Sequence, residues 1–360
     1  MIKKYQNYLI AKYLKSFLII SLVFFSIIVI VSVFEEINFF ENKNAGLFYP
    51  LLLTFLNAPS ILIEVFPFIF ILSVQFLYIH LSDNYEIEFL RQNGINNSKI
   101  LIILSSVSFA VGLVILLMFY SVSSSLKSEY LDIKNKFTDS NDYLAIVNDS
   151  GLWIKEEREN TVFFVHAKKF ENEFLEKLTI SSIKNKNFSK TDIILAEKAD
   201  ISNKKWKLSG VKIIDGNNII NEKEKYIYES SFNSEIISGL FSNLNSLNVY
   251  QLFKLKENYS KIDYSTTEVV LHLNKLFSMP IFYILMTILS FILIIKLKLF
   301  QSKFFTIIAG ISCSVLVYYL NYFSYIFGSN ETLPILFSVW LPHLLLSLFC
   351  LIGILGLNEN

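Results

Sequence analysis

Apolar residues in this chain come in long runs rather than alternating with polar ones. Six Phe-, Leu-, Ile- and Val-rich stretches occur at about 17–34, 60–80, 100–120, 273–295, 305–323 and 333–355. Each is close to the roughly 20 apolar helical residues that cross a hydrocarbon core. Pro67 and Pro342 fall inside two of them, which a span tolerates where a neighbour satisfies the freed carbonyl. Gly112 in the third run marks a point of close approach. Between the third and fourth runs the pattern changes. From residue 143, short β-branched and aromatic stretches (143–147, 161–167, 193–199, 205–209 and 211–214) are separated by Asn, Asp, Gly and Lys, with Asp215-Gly216 and Asn217-Asn218 as turn candidates. Several short strands at this spacing favour a sandwich, an open barrel or a jelly-roll. A short helix over 247–257 leads back to the fourth run.

The pattern predicts three parts: a membrane half over 1–124, a water-facing domain over 125–268 and a second membrane half over 269–360. The first run follows Lys3, Lys4, Lys12 and Lys15 as a signal peptide would. It is long enough to span and no small-residue cleavage pattern follows it, so a retained span is expected. Lys and Arg near span ends set orientation. Four lysines precede span one, and Lys296, Lys298 and Lys303 lie between spans four and five, whereas the link after span one holds only Lys43 beside Glu35, Glu36 and Glu41. Both termini are therefore expected in the cytoplasm and 125–268 on the far side.

Composition supports a lipid environment. Of 360 residues 53% are hydrophobic and only 18% charged, with a mean hydropathy of +0.48, too apolar for a soluble chain of this size. The formal net charge of +1, with no basic face, gives no reason to expect a nucleic-acid partner. Cys313 and Cys350 both fall in apolar runs, so the polar domain must cohere by packing. No phosphate-cradling glycine loop and no metal-ligand spacing occurs, so no catalytic residue, cofactor or metal is assigned. His80, His166, His272 and His343 read as structural. Glu64, about a turn inside span two, and Lys275, near the outer end of span four, read first as helix anchors.

The link Ser82-Asp83-Asn84-Tyr85-Glu86-Ile87-Glu88-Phe89-Leu90-Arg91-Gln92-Asn93-Gly94 is the most informative short stretch. Asp83 can cap a helix with Glu86 three positions on, Ile87 and Leu90 can pack while Glu86 and Arg91 stay wet, and Gly94 can end it. Such an amphipathic helix along the inner surface is either a docking knob for a cytoplasmic protein or a structural turn.

This combination resembles the LptF/LptG family, the permeases of the ABC machine that exports lipopolysaccharide from the inner membrane of Gram-negative bacteria. The resemblance rests on three spans, one external domain and three more spans, on the stretch from Glu86 to Gly94, and on Gly151-Leu152-Trp153-Ile154-Lys155. Lys275 followed by Pro280, and Tyr318-Tyr319-Leu320-Asn321 before Phe327-Gly328, also match. Within the family the chain is more similar to LptG than to its paralogue LptF.

The resemblance implies an α-helical membrane protein with six transmembrane helices (3+3) and an inserted periplasmic β-jelly-roll-like domain. It implies a non-catalytic subunit that pairs with an LptF-like permease, an LptB-like ATPase dimer, an LptC-like single-span protein and a periplasmic bridge, and that passes lipopolysaccharide onward. The helix at about 83–93 becomes the ATPase-coupling element, with Asp83, Glu86 and Arg91 as its residues. Phe34, Lys275 and Tyr319 become candidates for the substrate cavity or gate. One departure stands out: where LptG relatives often carry lysines near the outer end of span one, this chain has Val33, Phe39 and Phe40 alongside Glu35, Glu36 and Glu41. Carboxylates repel phosphate, so head-group contacts of relatives do not transfer. A membrane receptor or assembly platform with no transported ligand is the alternative of another class.

Overall fold

The computed structural model describes residues 4–41, 43, 46–137, 152–158, 161–171, 173–184, 192–215, 218–230, 232–234, 237, 243–261, 264–297 and 303–358. Contacts divide the chain into two compact units, one of residues 1–130 with 267–360 and one of residues 131–266.

Among the described residues, six helices are long and apolar enough to cross a membrane. They are α1 (Lys4–Phe40), α2 (Phe48–Asp83), α4 (Asn97–Val114) continuing through a π-helical turn (Ile115–Phe119) into α5 (Tyr120–Asn135), α7 (Thr267–Leu297), α8 (Lys303–Ser329) and α9 (Ile335–Asn358). A short α3 (Glu86–Gln92) lies between α2 and α4. The apolar windows of α2 and α7 are 61% and 67% buried, against 44% for the helix through α4 and α5, 22% for α8 and α9 and 17% for α1, so α2 and α7 form the centre and α1, α8 and α9 the flanks.

Lipid is as apolar as leucine, so burial does not drive these helices together; close packing and hydrogen bonds between them do. Tyr13 on α1, Ser108 on α4 and Thr287 on α7 form a buried hydroxyl knot, with Tyr13 Oη 2.8 Å from Ser108 Oγ and Ser108 Oγ 2.7 Å from Thr287 Oγ1. The Ser290 hydroxyl donates to the Ile71 carbonyl at 2.7 Å, and Gln75 Nε2 donates to the Thr306 carbonyl at 2.9 Å. Such bonds average about 0.6 kcal/mol in membrane proteins. Gly112 supplies the close approach expected of it: a Cβ there would stand 2.9 Å from the Pro280 Cα on α7.

Among its described residues the second unit has six strands and the helix α6 (Val249–Lys261). The strands are β1 (Leu152–Arg158), β2 (Thr161–Glu171), β3 (Phe174–Lys184), β4 (Asp192–Asp200), β5 (Lys205–Asp215) and β6 (Asn218–Glu229), antiparallel in the order β1-β2-β3-β4-β5-β6. One face buries Leu152, Ile154, Val165, Leu178, Ile180, Trp206 and Leu208, and the Trp206 indole donates to the Phe232 carbonyl at 2.7 Å.

This sheet corrects the expected β-jelly-roll-like domain. The described strands make one open sheet whose edges are β1 and β6. The connections explain it: β5 to β6, β2 to β3 and β1 to β2 each leave only two residues between strands. A link that short returns a chain to its neighbour and cannot carry it across to a second sheet.

Several sequence expectations shift in detail. The stretches 205–209 and 211–214 are one strand running through Gly210, which adopts φ +64°. Strands β3 and β6 went unforeseen, β6 because its Asn-Glu-Lys-Glu-Lys run resembles a linker. Such charge is what an edge strand uses against unwanted pairing. The expected strand at 143–147 lies outside the described residues, as do Gly216 and Asn217 of the expected turn. The short helix expected over 247–257 is α6, shifted slightly along the chain.

Candidate functional site

The link between α2 and α4 folds back because Tyr85 adopts a left-handed conformation, φ +59°. From there α3 makes under two turns. Ile87 and Leu90 are buried and pack with Leu9 of α1, Leu77 and Leu81 of α2, Ile100 and Leu104 of α4, and Phe291 of α7. The end of α3 is closed by two backbone bonds, Ile95 N–H to the Leu90 carbonyl and Gly94 N–H to the Arg91 carbonyl, both 3.0 Å. This is the Schellman closure, with Gly94 at φ +75° as expected. The opposite side presents Tyr85 and Phe89, 76% and 65% exposed.

Glu86 is more constrained than a wet docking residue. Its Oε2 accepts from the Tyr8 hydroxyl at 2.6 Å, and its Oε1 lies 3.5 Å from Lys12 Nζ. The same ammonium is 3.1 Å from His80 Nε2, and the Asn84 amide donates to the His80 carbonyl at 3.0 Å. Glu86 thus ties α3 to the first turns of α1. The Lys12 pair is partly exposed and on its own contributes at most about 1 kcal/mol. The Tyr8 bond to a carboxylate belongs to the stronger class, about 1.5–3 kcal/mol.

The expected capping box does not form. Asp83 is the last residue of α2, and its Oδ1 lies 2.6 Å from Lys303 Nζ at the start of α8, while no side chain caps α3. The Arg91 guanidinium donates to Asn97 Oδ1 at 3.1 Å. Sequence reasoning missed Tyr8, Lys12, His80 and Lys303 as partners. Lys12 and Lys303 had been weighed only as markers of orientation, and nothing local pairs residues 78 positions apart.

The three gate candidates sit on three helices with separate surroundings. Phe34 on α1 is 65% exposed and Tyr319 on α8 is 52% exposed. Lys275 on α7 is exposed and lies over the Tyr325 ring, 5.4 Å from its centroid. Tyr319 packs instead against Tyr318 and Phe323. At the C-terminal end of α1, Glu36 is buried and accepts from the Tyr130 hydroxyl at 2.8 Å, leaving Glu35 and Glu41 at the surface. His272 and His343 are buried, the former 3.0 Å from Tyr120 Oη. Among the described residues no group of three His, Cys, Asp or Glu side chains could hold a metal ion.

The family description "Lipopolysaccharide export system permease LptF/LptG" matches residues 7–356, nearly the whole chain. The chain belongs to the LptF/LptG family. No individual curated protein matches it significantly. As an LptF/LptG permease it has the general role of a membrane subunit in lipopolysaccharide export by an ABC transporter, and its six long apolar helices fit a multi-pass membrane protein.

Proposed function

We propose that this chain is the LptG-type permease, inserted with both termini in the cytoplasm and residues 125–268 in the periplasm. Its spans 1–124 and 269–360 form one side of a lipid cavity completed by an LptF-like partner. An LptB-like ATPase dimer engages α3, and an LptC-like single-span protein and a periplasmic bridge receive the lipid. The likeness of the segment from Gly151 to Lys155 favours LptG over LptF, though Gly151 itself lies outside the described residues. Phe34, Lys275 and Tyr319 are the residues proposed to meet the substrate.

The observation that carries the reading is the attachment of Glu86 to Tyr8 and Lys12. A cytoplasmic partner seated on Tyr85 and Phe89, with Asp83 and Arg91 flanking it, would grip a helix bonded directly to span one. Movement of α3 on nucleotide closure then passes to α1, whose outward side lines the cavity. Work must enter this way because each CH₂ withdrawn from an apolar site costs about 0.8 kcal/mol. A lipid with several acyl chains does not leave unaided.

Charge reversal by Glu86→Lys removes the Tyr8 bond and places two cations together. ATPase association, or lipopolysaccharide release per ATP hydrolysed, should fall about tenfold, the equivalent of about 1.4 kcal/mol. Unchanged assembly together with unchanged export would remove the assignment.

A further inference from the structure

A lateral groove of about 750 Å³ opens between α1, α2 and the helix formed by α4, the π-helical turn and α5. Its walls include Ile10 and Leu14 on α1, Leu62 and Phe66 on α2, and Ala110 and Val114 on α4. Polar groups are few: the Ser106 hydroxyl is given to the Ile102 carbonyl at 2.7 Å, and the buried Ser21 hydroxyl has no partner among the described residues. Along α1 the groove extends from Gln6 to Ser21, about 22 Å at 1.5 Å per residue. That exceeds one leaflet of a hydrocarbon core about 30 Å thick.

Such a space does not stay empty in a bilayer. Its lining would forfeit dispersion contacts on one side, and an apolar cavity of this kind does not fill with ordered water. A second helix is about 10 Å across its side chains. An acyl chain is thinner and conforms to an irregular wall.

One end of the groove is marked by charge. Lys99 precedes Ile102, Ile103, Ser106 and Ala110 by three, four, seven and eleven positions, so it continues the groove-lining face of α4 by one turn. It is exposed, and its ammonium, which carries three donors, gives one to the Gly94 carbonyl at 2.8 Å. The geometry points to a site for one anionic glycerophospholipid, with an acyl chain between α1, α2 and α4 and its phosphate at Lys99. The lipid enters from the leaflet on the side of Lys12, Lys15 and Lys99 and fills the wall between span one and span three.

The test uses the full chain in nanodiscs of phosphatidylethanolamine and phosphatidylglycerol, followed by mild detergent release and native mass spectrometry. Wild type should retain one phosphatidylglycerol. Ala110→Trp, which fills the groove, should retain about fivefold less. Lys99→Gln should keep a bound lipid but lose about fivefold in preference for phosphatidylglycerol, the effect of one basic residue at a lipid surface. Equal retention by Ala110→Trp, unchanged preference in Lys99→Gln, or lipopolysaccharide found in place of phospholipid would each overturn the site. If Ala110→Trp fails to insert, the Lys99→Gln comparison decides alone, since an exposed residue is changed.

Discussion

Asp200 shows how one side chain at a strand end responds to its own loop. Its Oδ1 accepts from both the hydroxyl and the backbone N–H of Ser202, at 2.7 and 3.1 Å. These bonds hold the carboxyl below the usual carboxylate range, and Lys207 adds a smaller pull. A depressed folded value means the contribution to stability is full above the unfolded pKa of about 3.9 and is lost as pH falls through the folded value. An NMR titration should place the Asp200 midpoint below the unfolded one, and Ser202→Ala should move it upward. A midpoint indifferent to that substitution would show that the Ser202 hydroxyl is not the cause. At this scale the sequence reading was uneven. Glu86 stood out because acid, apolar and glycine positions fit a short helix, whereas its partners Tyr8 and Lys12 depend on a fold-back that no local pattern reveals. Asp83 misled for the opposite reason: its spacing to Glu86 suited a cap, but the chain turns at Tyr85 and leaves Asp83 to Lys303.

Among the elements, the crossing of α4 and α7 is the tightest test of helix packing. A methyl group at position 112 would meet Pro280 backbone at 2.9 Å and the Tyr283 ring at 3.1 Å. Backbone cannot rotate aside as a flexible side-chain tip can, so the helices would have to part. Gly112→Ala should cost about 1–3 kcal/mol, read as a lower thermal midpoint in detergent, while Leu113→Ala on the exposed side should change little. A neutral Gly112→Ala would mean the two helices separate freely. Long apolar helices were legible because the membrane demands about 20 residues of one character. The strands were less so: an open sheet with one wet face interleaves Lys and Glu with Ile and Tyr, and β6 then reads as linker. The jelly-roll came from strand spacing and family likeness together, and the two-residue connections overturn it.

For the whole molecule, charge near the span ends orients the chain, and that expectation can be tested directly. Single cysteines introduced at Lys205 in β5 and at Lys15 in α1, on a background with Cys313 and Cys350 replaced, should differ in reaction with a membrane-impermeant maleimide added to intact cells. Position 205 should label and position 15 should not. Labelling of both, or of position 15 alone, would reverse the proposed insertion. The sheet carries one more consequence, for synthesis. Each described strand pairs with the one made just before it, so β2 can zip onto β1 as soon as it emerges, and every later strand finds a waiting template. Contacts this local form quickly, and such a domain is able to grow hairpin by hairpin from an emerging chain, exposing one unfinished border at a time to the aggregation that awaits half-made proteins.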